Sequence, residues 1–298
     1  VARVSTADAV AVDRAPSLLS DYVQLTKPKV QSLLLLTTVA AMEIAGNPSI
    51  GLILATVIGG YMSAGGAGAV NHWYDRDIDG AMERTANRPV PSGRVSPRAA
   101  LTFGLGLEVA AIVWLTVLVN PLSAAFALAG FLGYTLVYTI WLKRRTAQNV
   151  VIGGIAGAIP PLVGWTAVTN SIDGTAIYLF AIVFFWQVPH FWALALLMKD
   201  EYAAVGIPML PVVRGERETR KQILLYTFLL YAVSQLVFCG DGFGYFYLAA
   251  SLVLGGGFIY LAVRLMRRAD RRSALVLYLF SLAYLALLFV AMVVDVRL

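Results

Sequence analysis

The sequence predicts an all-α, polytopic membrane protein, a bundle of about nine transmembrane helices, and three observations carry that prediction. Hydrophobic residues make up 59% of the 298-residue chain and charged residues only 13%, against roughly 45–50% and about 25% in soluble domains. Mean hydropathy is +0.75 over the whole chain, which is more apolar surface than one core can hide, so lipid must solvate much of it. Apolar runs of roughly 20 residues recur along the chain, where a membrane barrel would show short alternating strands. The 26 glycines, fourteen Tyr, fourteen Phe and six Trp suit close-packed helices with aromatic belts at the interfaces. The single cysteine, Cys239, leaves no intrachain disulfide and no Cys-based zinc or iron–sulfur site.

Residues 1–24 carry Arg3, Asp8, Asp13, Arg14 and Asp21 without an apolar stretch of signal-peptide length, and are expected to form a loosely ordered tail. Residues 25–298 are expected to form one transmembrane domain. After Lys27-Pro28-Lys29, spans are expected near 30–46, 51–72, 98–119, 121–142, 148–169, 174–198, 222–239, 243–263 and 273–294. Pro160-Pro161 must break or kink the fifth span, because two ring nitrogens cannot donate to its ladder. Nine spans make the loops alternate in charge. One side collects Arg3, Arg14, Lys27 and Lys29, then Arg76 to Arg98, Lys143 to Arg145, Lys199 to Lys221 and Arg264 to Arg272, which is 22 of the 23 basic residues. The other side keeps Arg297 and holds Asp173 and Asp241. The chain is therefore expected in the cell membrane with its N-terminus and long loops, 73–97 and 199–221, cytoplasmic and its C-terminus external. Polarity gathered in long loops on one face puts the chemistry there.

If the second helix runs through the first long loop, Asn71, Asp75 and Asp79 fall at i, i+4 and i+8 and line one face. Hard oxygen donors at that pitch suit Mg²⁺, which takes a carboxylate or two plus phosphate oxygens and water; a solvated acidic helix end is the plain alternative. Arg84, Arg88 and Arg94 follow within the same loop, and guanidinium groups beside metal-bearing carboxylates favour a diphosphate. Asp77 is out of phase with the trio and is expected to face elsewhere or pair with an arginine. Lys143-Arg144-Arg145 lies at the same depth, preceded by Tyr134 and Tyr138; Lys143 is the expected second phosphate contact, and the triplet also serves as a topology anchor. Asp200 and Glu201 open the second long loop but point about 100° apart on a helix, so one at most can be aimed at a metal. His72 adjoins Asn71 on a different face. His190, in the sixth span beside Trp186, is an ionisable residue within the membrane. It suits a metal, a base or a core imidazole satisfied by a neighbouring helix. Glu43 and Glu108 are the other carboxylates within spans.

The stretch Asn71 to Gly93, NHWYDRDIDGAMERTANRPVPSG, resembles the first aspartate-rich motif of the intramembrane aromatic prenyltransferases of UbiA type. WLKRRTAQN at 141–149, IPPLVGW at 159–165, WQVPHFW at 186–192 and DEYAAVGIPMLPVV at 200–213 resemble the heme-farnesylating branch of that superfamily. The likeness covers residues 25–221, and the last three spans agree in hydropathy only. It implies helices around a central cavity, Asn71, Asp75 and Asp79 as Mg²⁺–diphosphate ligands, and Arg88 and Lys143 near the phosphates. It further implies farnesyl diphosphate and heme B as substrates, His190 as a heme contact, and a heme A synthase or oxidase assembly factor as a partner. Arg84, Arg94, Arg144, Tyr138, Trp186 and His72 are expected to line the substrates, with Tyr74, Tyr138 or Trp186 shielding an allylic cation. One departure weakens Asp200 as a ligand, since the second DxxxD of the broader superfamily is broken here by Ala204. A prenyltransferase for a quinone precursor shares the same diphosphate apparatus, and a transporter also places Pro-broken helices at the midplane. Nucleic acid is disfavoured as a partner because the basic residues are spread over five juxtamembrane segments.

Overall fold

The computed structural model describes residues 17–239 and 242–298, which are helical apart from their connecting turns. Arg3, Asp8, Asp13, Arg14 and Asp241 lie outside the described residues. α1 (Leu18–Leu25) corrects part of the loose-tail expectation. Ser17 caps it by accepting from Ser20 N, and buried Asp21 accepts from Arg94 Nε at 2.9 Å, so a charge-assisted bond holds the segment onto the first long loop.

α2 (Pro28–Ala45) and α3 (Ile50–Tyr74) lead into the short α4 (Arg76–Ala81). α5 (Pro97–Leu118) and α6 (Pro121–Leu132) each begin with proline just inside the helix and a capping side chain, Ser96 or Asn120, just outside it. A π-helical segment, Gly133–Leu142, continues α6. The proline pair does split the fifth span, into α7 (Asn149–Gly157) and α8 (Pro160–Thr169). α9 (Gly174–Leu197), α10 (Lys199–Ala204), α11 (Leu210–Val213), α12 (Gly215–Leu236), α13 (Tyr245–Arg268) and α14 (Arg271–Asp295) complete the chain.

Among the described residues seven stretches are long and apolar enough to cross a membrane: Ile50–Tyr74, Pro97–Leu118, Pro121–Leu142, Asn149–Thr169, Gly174–Leu197, Tyr245–Arg268 and Arg271–Asp295. α2 and α12, the other two of the nine expected spans, are not among the seven. Lys29, Gln31 and Glu43 dilute α2, and α12 opens on Glu216, Arg217, Glu218, Arg220 and Lys221 before its apolar turns begin.

α3 packs on α5, α5 on α6 and α6 on α8; α9 packs on α12 and α14, α13 joins those two, and α2 bridges the halves against α8 and α14. Different side chains hold the two halves together. Around α9 and α12 to α14 the core is bulky, with Trp192, Tyr247, Phe258, Tyr284 and Phe289 fully buried. The α3–α5 crossing instead rests on glycines. A Cβ on Gly104 would lie 2.8 Å from Gly66 O, and one on Gly66 would lie 2.6 Å from Gly104 O. In lipid, where burial of apolar surface does not drive helices together, such close backbone approach supplies the dispersion contact. Gly104→Ala is therefore expected to destabilise by roughly 1–3 kcal/mol through overpacking. Gly106→Ala, whose Cβ meets nothing within 4 Å, should gain roughly 0.5–1 kcal/mol. Thermal melting of both variants in one detergent checks the contrast.

Candidate active site

α3 carries Asn71 near its C-terminal end, and the ladder continues past the break at Asp75: Asp75 N donates to Asn71 O at 2.9 Å and Asp79 N to Asp75 O at 2.8 Å. The three side chains thus stand one above the other as the i, i+4, i+8 spacing expects. All are buried, Asp75 completely. Each meets a cation from a different part of the chain. Lys143 Nζ lies 2.5 Å from Asp75 Oδ2, Arg88 Nη1 lies 2.6 Å from Asp79 Oδ2, and Lys27 Nζ lies 2.5 Å from Asn71 Oδ1. Asn71 Nδ2 donates to Asp75 Oδ2 at 2.7 Å and to Thr139 Oγ1 at 3.2 Å, closing the cluster. Asp77 projects away and takes Arg144 in two 2.7 Å bonds; that guanidinium holds the Asp77 carboxyl down at about 2. Arg144 also approaches Asp75 Oδ1 at 3.4 Å and lies over the Tyr74 ring, 4.7 Å from its centroid, so that ring face is already taken by a cation.

Two local features aim these groups. The π-helical turn bonds residues five apart, as in Lys143 N to Tyr138 O at 2.8 Å, which brings Tyr134, Thr139 and Lys143 round to the α3 side. Lys27 Nζ reaches Tyr134 OH at 3.4 Å, Thr139 takes Asn71 and Lys143 takes Asp75. Lys27 itself sits between α1 and α2 in the left-handed conformation, φ 55° and ψ 54°, which costs a non-glycine residue about 1–2 kcal/mol and is disfavoured before proline. Gly68 makes room for that turn: a Cβ there would lie 2.9 Å from Leu25 O. Burial, then the charges of Arg88 and Lys143, push the Lys27 ammonium down to about 7. The spacing rules gave no sign of Lys27 or Thr139 as site residues. The Thr26-Lys27-Pro28 sequence marks a turn, but not where it docks.

The other expected residues divide. Tyr138 lies beside Tyr134, ring centroids 5.5 Å apart and planes tilted by 31°, and packs against Gly153. His72 is buried and its Nδ1 has no partner among the described residues. Arg94 does not join the carboxylates: its bonds go to Asp21 and to Asn87 O, which makes it a tether for α1. Arg84 is exposed and makes no ion pair among the described residues. It neighbours Tyr202, whose phenol burial pushes up. Asp200 is exposed at the start of α10, a separate short helix beyond α9, and makes no ion pair among the described residues.

His190 is placed differently, in the wall between α9 and α14. Its ring is stacked between Trp186 at 4.7 Å and Tyr278 at 4.8 Å, and Nδ1 lies 2.7 Å from Ser281 Oγ. Ser281 Oγ donates to Tyr278 O at 2.6 Å. A hydroxyl has one proton, so Ser281 accepts from His190 Nδ1–H, and the Nε2 lone pair is left free. Trp186 Nε1 donates to Ser281 O at 2.6 Å, fixing the same turn.

The donor set around Asp75 fits a hard divalent cation. It offers two buried carboxylates and an amide oxygen, and cationic side chains already lie on those oxygens, ammonium on Asn71 and Asp75 and guanidinium on Asp79. No cluster of three or more His, Cys, Asp or Glu forms among the described residues, so the metal would complete its shell with phosphate oxygens and water, as Mg²⁺ does.

Residues 33–292 match the UbiA prenyltransferase family. A protoheme IX farnesyltransferase of Roseiflexus sp. (strain RS-1) is 51% identical over 297 residues, 99% of this chain and 56% of that protein. One from Symbiobacterium thermophilum is 50% identical over 295 residues, 97% of this chain and 98% of its own length. The chain spans about half the length of the Roseiflexus and Chloroflexus relatives it matches, 56% and 48%. In fold it is similar to a digeranylgeranylglyceryl phosphate synthase, with TM-score 0.78 at 18% identity over 94% of this chain and 99% of that one. It is also similar to a UbiA homolog from Archaeoglobus fulgidus bound to GPP and Mg²⁺, with TM-score 0.68 at 14% identity over 92% and 99%.

Proposed function

The chain belongs to the UbiA prenyltransferase family, and from that membership we propose that it transfers the farnesyl group of farnesyl diphosphate to a vinyl group of heme B, with addition of water. The observation that carries the transferase reading is the buried Asn71–Asp75–Asp79 ladder with Lys27, Lys143 and Arg88 each lodged on one of its members. Relatives of about half identity over nearly the whole chain, described as protoheme IX farnesyltransferases, support heme as the acceptor.

Asn71, Asp75 and Asp79 would hold Mg²⁺, which supplies charge neutralisation to the leaving diphosphate. Lys27, Arg88 and Lys143 then turn from these oxygens to the phosphates. Their positive charge stabilises the negative charge that builds as the C1–oxygen bond breaks, which is binding gained in the transition state. Tyr134 and Tyr138 wall the site on the membrane side and keep water from the allylic cation. The vinyl π electrons close the new carbon–carbon bond, and water captures the resulting cation with loss of a proton. His190, its free Nε2 facing away from Ser281, is the proposed heme contact.

We place α2 and α12 as further crossings, nine in all, in the cell membrane with the basic ends cytoplasmic and the C-terminus external. Contacts within each end support this grouping of the helix ends, and the basic excess at one of them supports the sidedness. Arg94–Asp21, Lys143–Asp75 and Lys199–Glu216 join segments at one end, while Arg297 joins Glu43 and Asn47 at the other. An amphiphilic product held in the bilayer suits hand-over to a membrane partner such as a heme A synthase or an oxidase assembly factor.

The test offers the purified full chain farnesyl diphosphate and Mg²⁺ with either heme B or 4-hydroxybenzoate. Hydroxyethylfarnesyl heme and free diphosphate are expected from the first, and loss of both on chelation. Prenylated 4-hydroxybenzoate with heme B untouched would move the chain to quinone chemistry.

A further inference from the structure

Beyond the carboxylate ladder, a cavity of about 410 Å³ opens on the basic face between the 145–148 turn, α9, α11 and α12. Its position follows from how the cationic triplet divides. Lys143 turns to Asp75 and Arg144 to Asp77, whereas Arg145 lines the cavity, across from Arg214. Neither Arg145 nor Arg214 makes an ion pair among the described residues, and the one carboxylate on the lining, Glu218, already accepts from Gln222 at 2.7 Å. The wall is aromatic, formed by Trp192 and Tyr226 in edge contact at 5.4 Å. Two unpaired guanidiniums beside an aromatic wall make a site for an anionic oxygen pair carried on an apolar body.

We propose that this cavity binds the carboxylates of the acceptor, which under the proposed function are the propionates of heme B. The proposal rests on that reading of the acceptor. Ionised propionates cannot enter the bilayer core without cationic partners, and guanidinium is the group suited to grip them in pairs. The two elements that line the cavity also carry the rest of the chemistry. The 143–148 turn holds Lys143 on Asp75, and α9 carries Trp192 on the cavity side and His190, two residues earlier, on the face toward α14. A porphyrin gripped here by its carboxylate edge would have its vinyl edge free to reach toward the diphosphate site.

The experiment titrates the full chain in nanodiscs with hemin and, separately, with hemin dimethyl ester, whose carboxylates are masked. Wild type is expected to bind the free acid at least about tenfold more tightly than the ester. Arg145→Gln/Arg214→Gln should erase that preference by weakening the acid alone. Both arginines are exposed, so their replacement leaves the core intact. An unchanged acid-to-ester ratio in the double variant, or an equal loss of both ligands, would overturn the subsite. Nanodiscs of phosphatidylcholine alone and with phosphatidylglycerol separate the other source of anionic oxygen. If the double variant only loses retained phosphatidylglycerol, the cavity belongs to a lipid phosphate and the assignment falls. Failure of the reading itself looks different, since wild type would then bind neither porphyrin and form no farnesylated heme.

Discussion

Asp75→Ala is expected to lower product formation by at least roughly 10²–10³-fold while the helices stay folded. The carboxylate is wholly buried and takes part in three contacts, with Lys143 at 2.5 Å, Asn71 at 2.7 Å and Arg144 at 3.4 Å. Its loss removes a proposed Mg²⁺ donor and releases two cations that it positions. Removing one member of a buried pair strands the other, at a cost of about 3–5 kcal/mol, so stability must be separated from chemistry. Lys143 keeps 16% of its side chain exposed and stands at a helix end, which lets it turn to water and softens that cost. Asp75→Asn retains the shape without the charge, and Asp75→Ala/Lys143→Met removes the pair together. Both should recover melting temperature relative to Asp75→Ala, and neither should recover activity. The rate of diphosphate release, read beside circular dichroism, decides it: near wild-type turnover in Asp75→Ala would refute the metal-site assignment.

The ladder itself was legible because helical geometry converts a spacing of four into one face, and Asn71, Asp75 and Asp79 are four apart. The break at Pro160 was legible for the same kind of reason, a local rule with a local effect. What escaped were the long-range partners. Lys27 read as one more topology anchor, since nothing in its own neighbourhood tells of Asn71, 44 residues away. Arg94 and Arg88 share a loop and a charge, yet one pairs with Asp21 and the other with Asp79. That difference lies in where α1 docks. The π-helical winding was likewise hidden, for GYTLVYTIWL is an unremarkable apolar run, and its register matters only because Thr139 and Lys143 face α3. Charge sorting led to an expectation of nine segments, but α12 opens on Glu216 to Lys221 before its apolar turns and is not among the seven long apolar stretches of the described residues.

The last spans matched only in hydropathy, and they hold the partner that decides what His190 can do. Because Ser281 Oγ gives its proton to Tyr278 O at 2.6 Å, it can only accept from Nδ1 at 2.7 Å, and the imidazole is held with Nε2 unprotonated. His190→Ala is therefore expected to abolish the spectral change that accompanies heme binding and to lower affinity by about tenfold or more. Ser281→Ala keeps the imidazole but frees it to take the other tautomer or to turn between Trp186 and Tyr278. Loss of such an outer-shell partner typically costs about 10–100-fold in metal affinity or activity. Ser281→Thr, which retains the hydroxyl acceptor, should restore both band position and affinity. Three outcomes are distinct in the heme titration. An unchanged spectrum in His190→Ala removes the residue from the heme site altogether. A loss in His190→Ala with none in Ser281→Ala keeps His190 as the contact but shows that the stacking rings alone hold it. A loss in both, rescued by threonine, is what the hydrogen-bond chain from α14 to α9 requires.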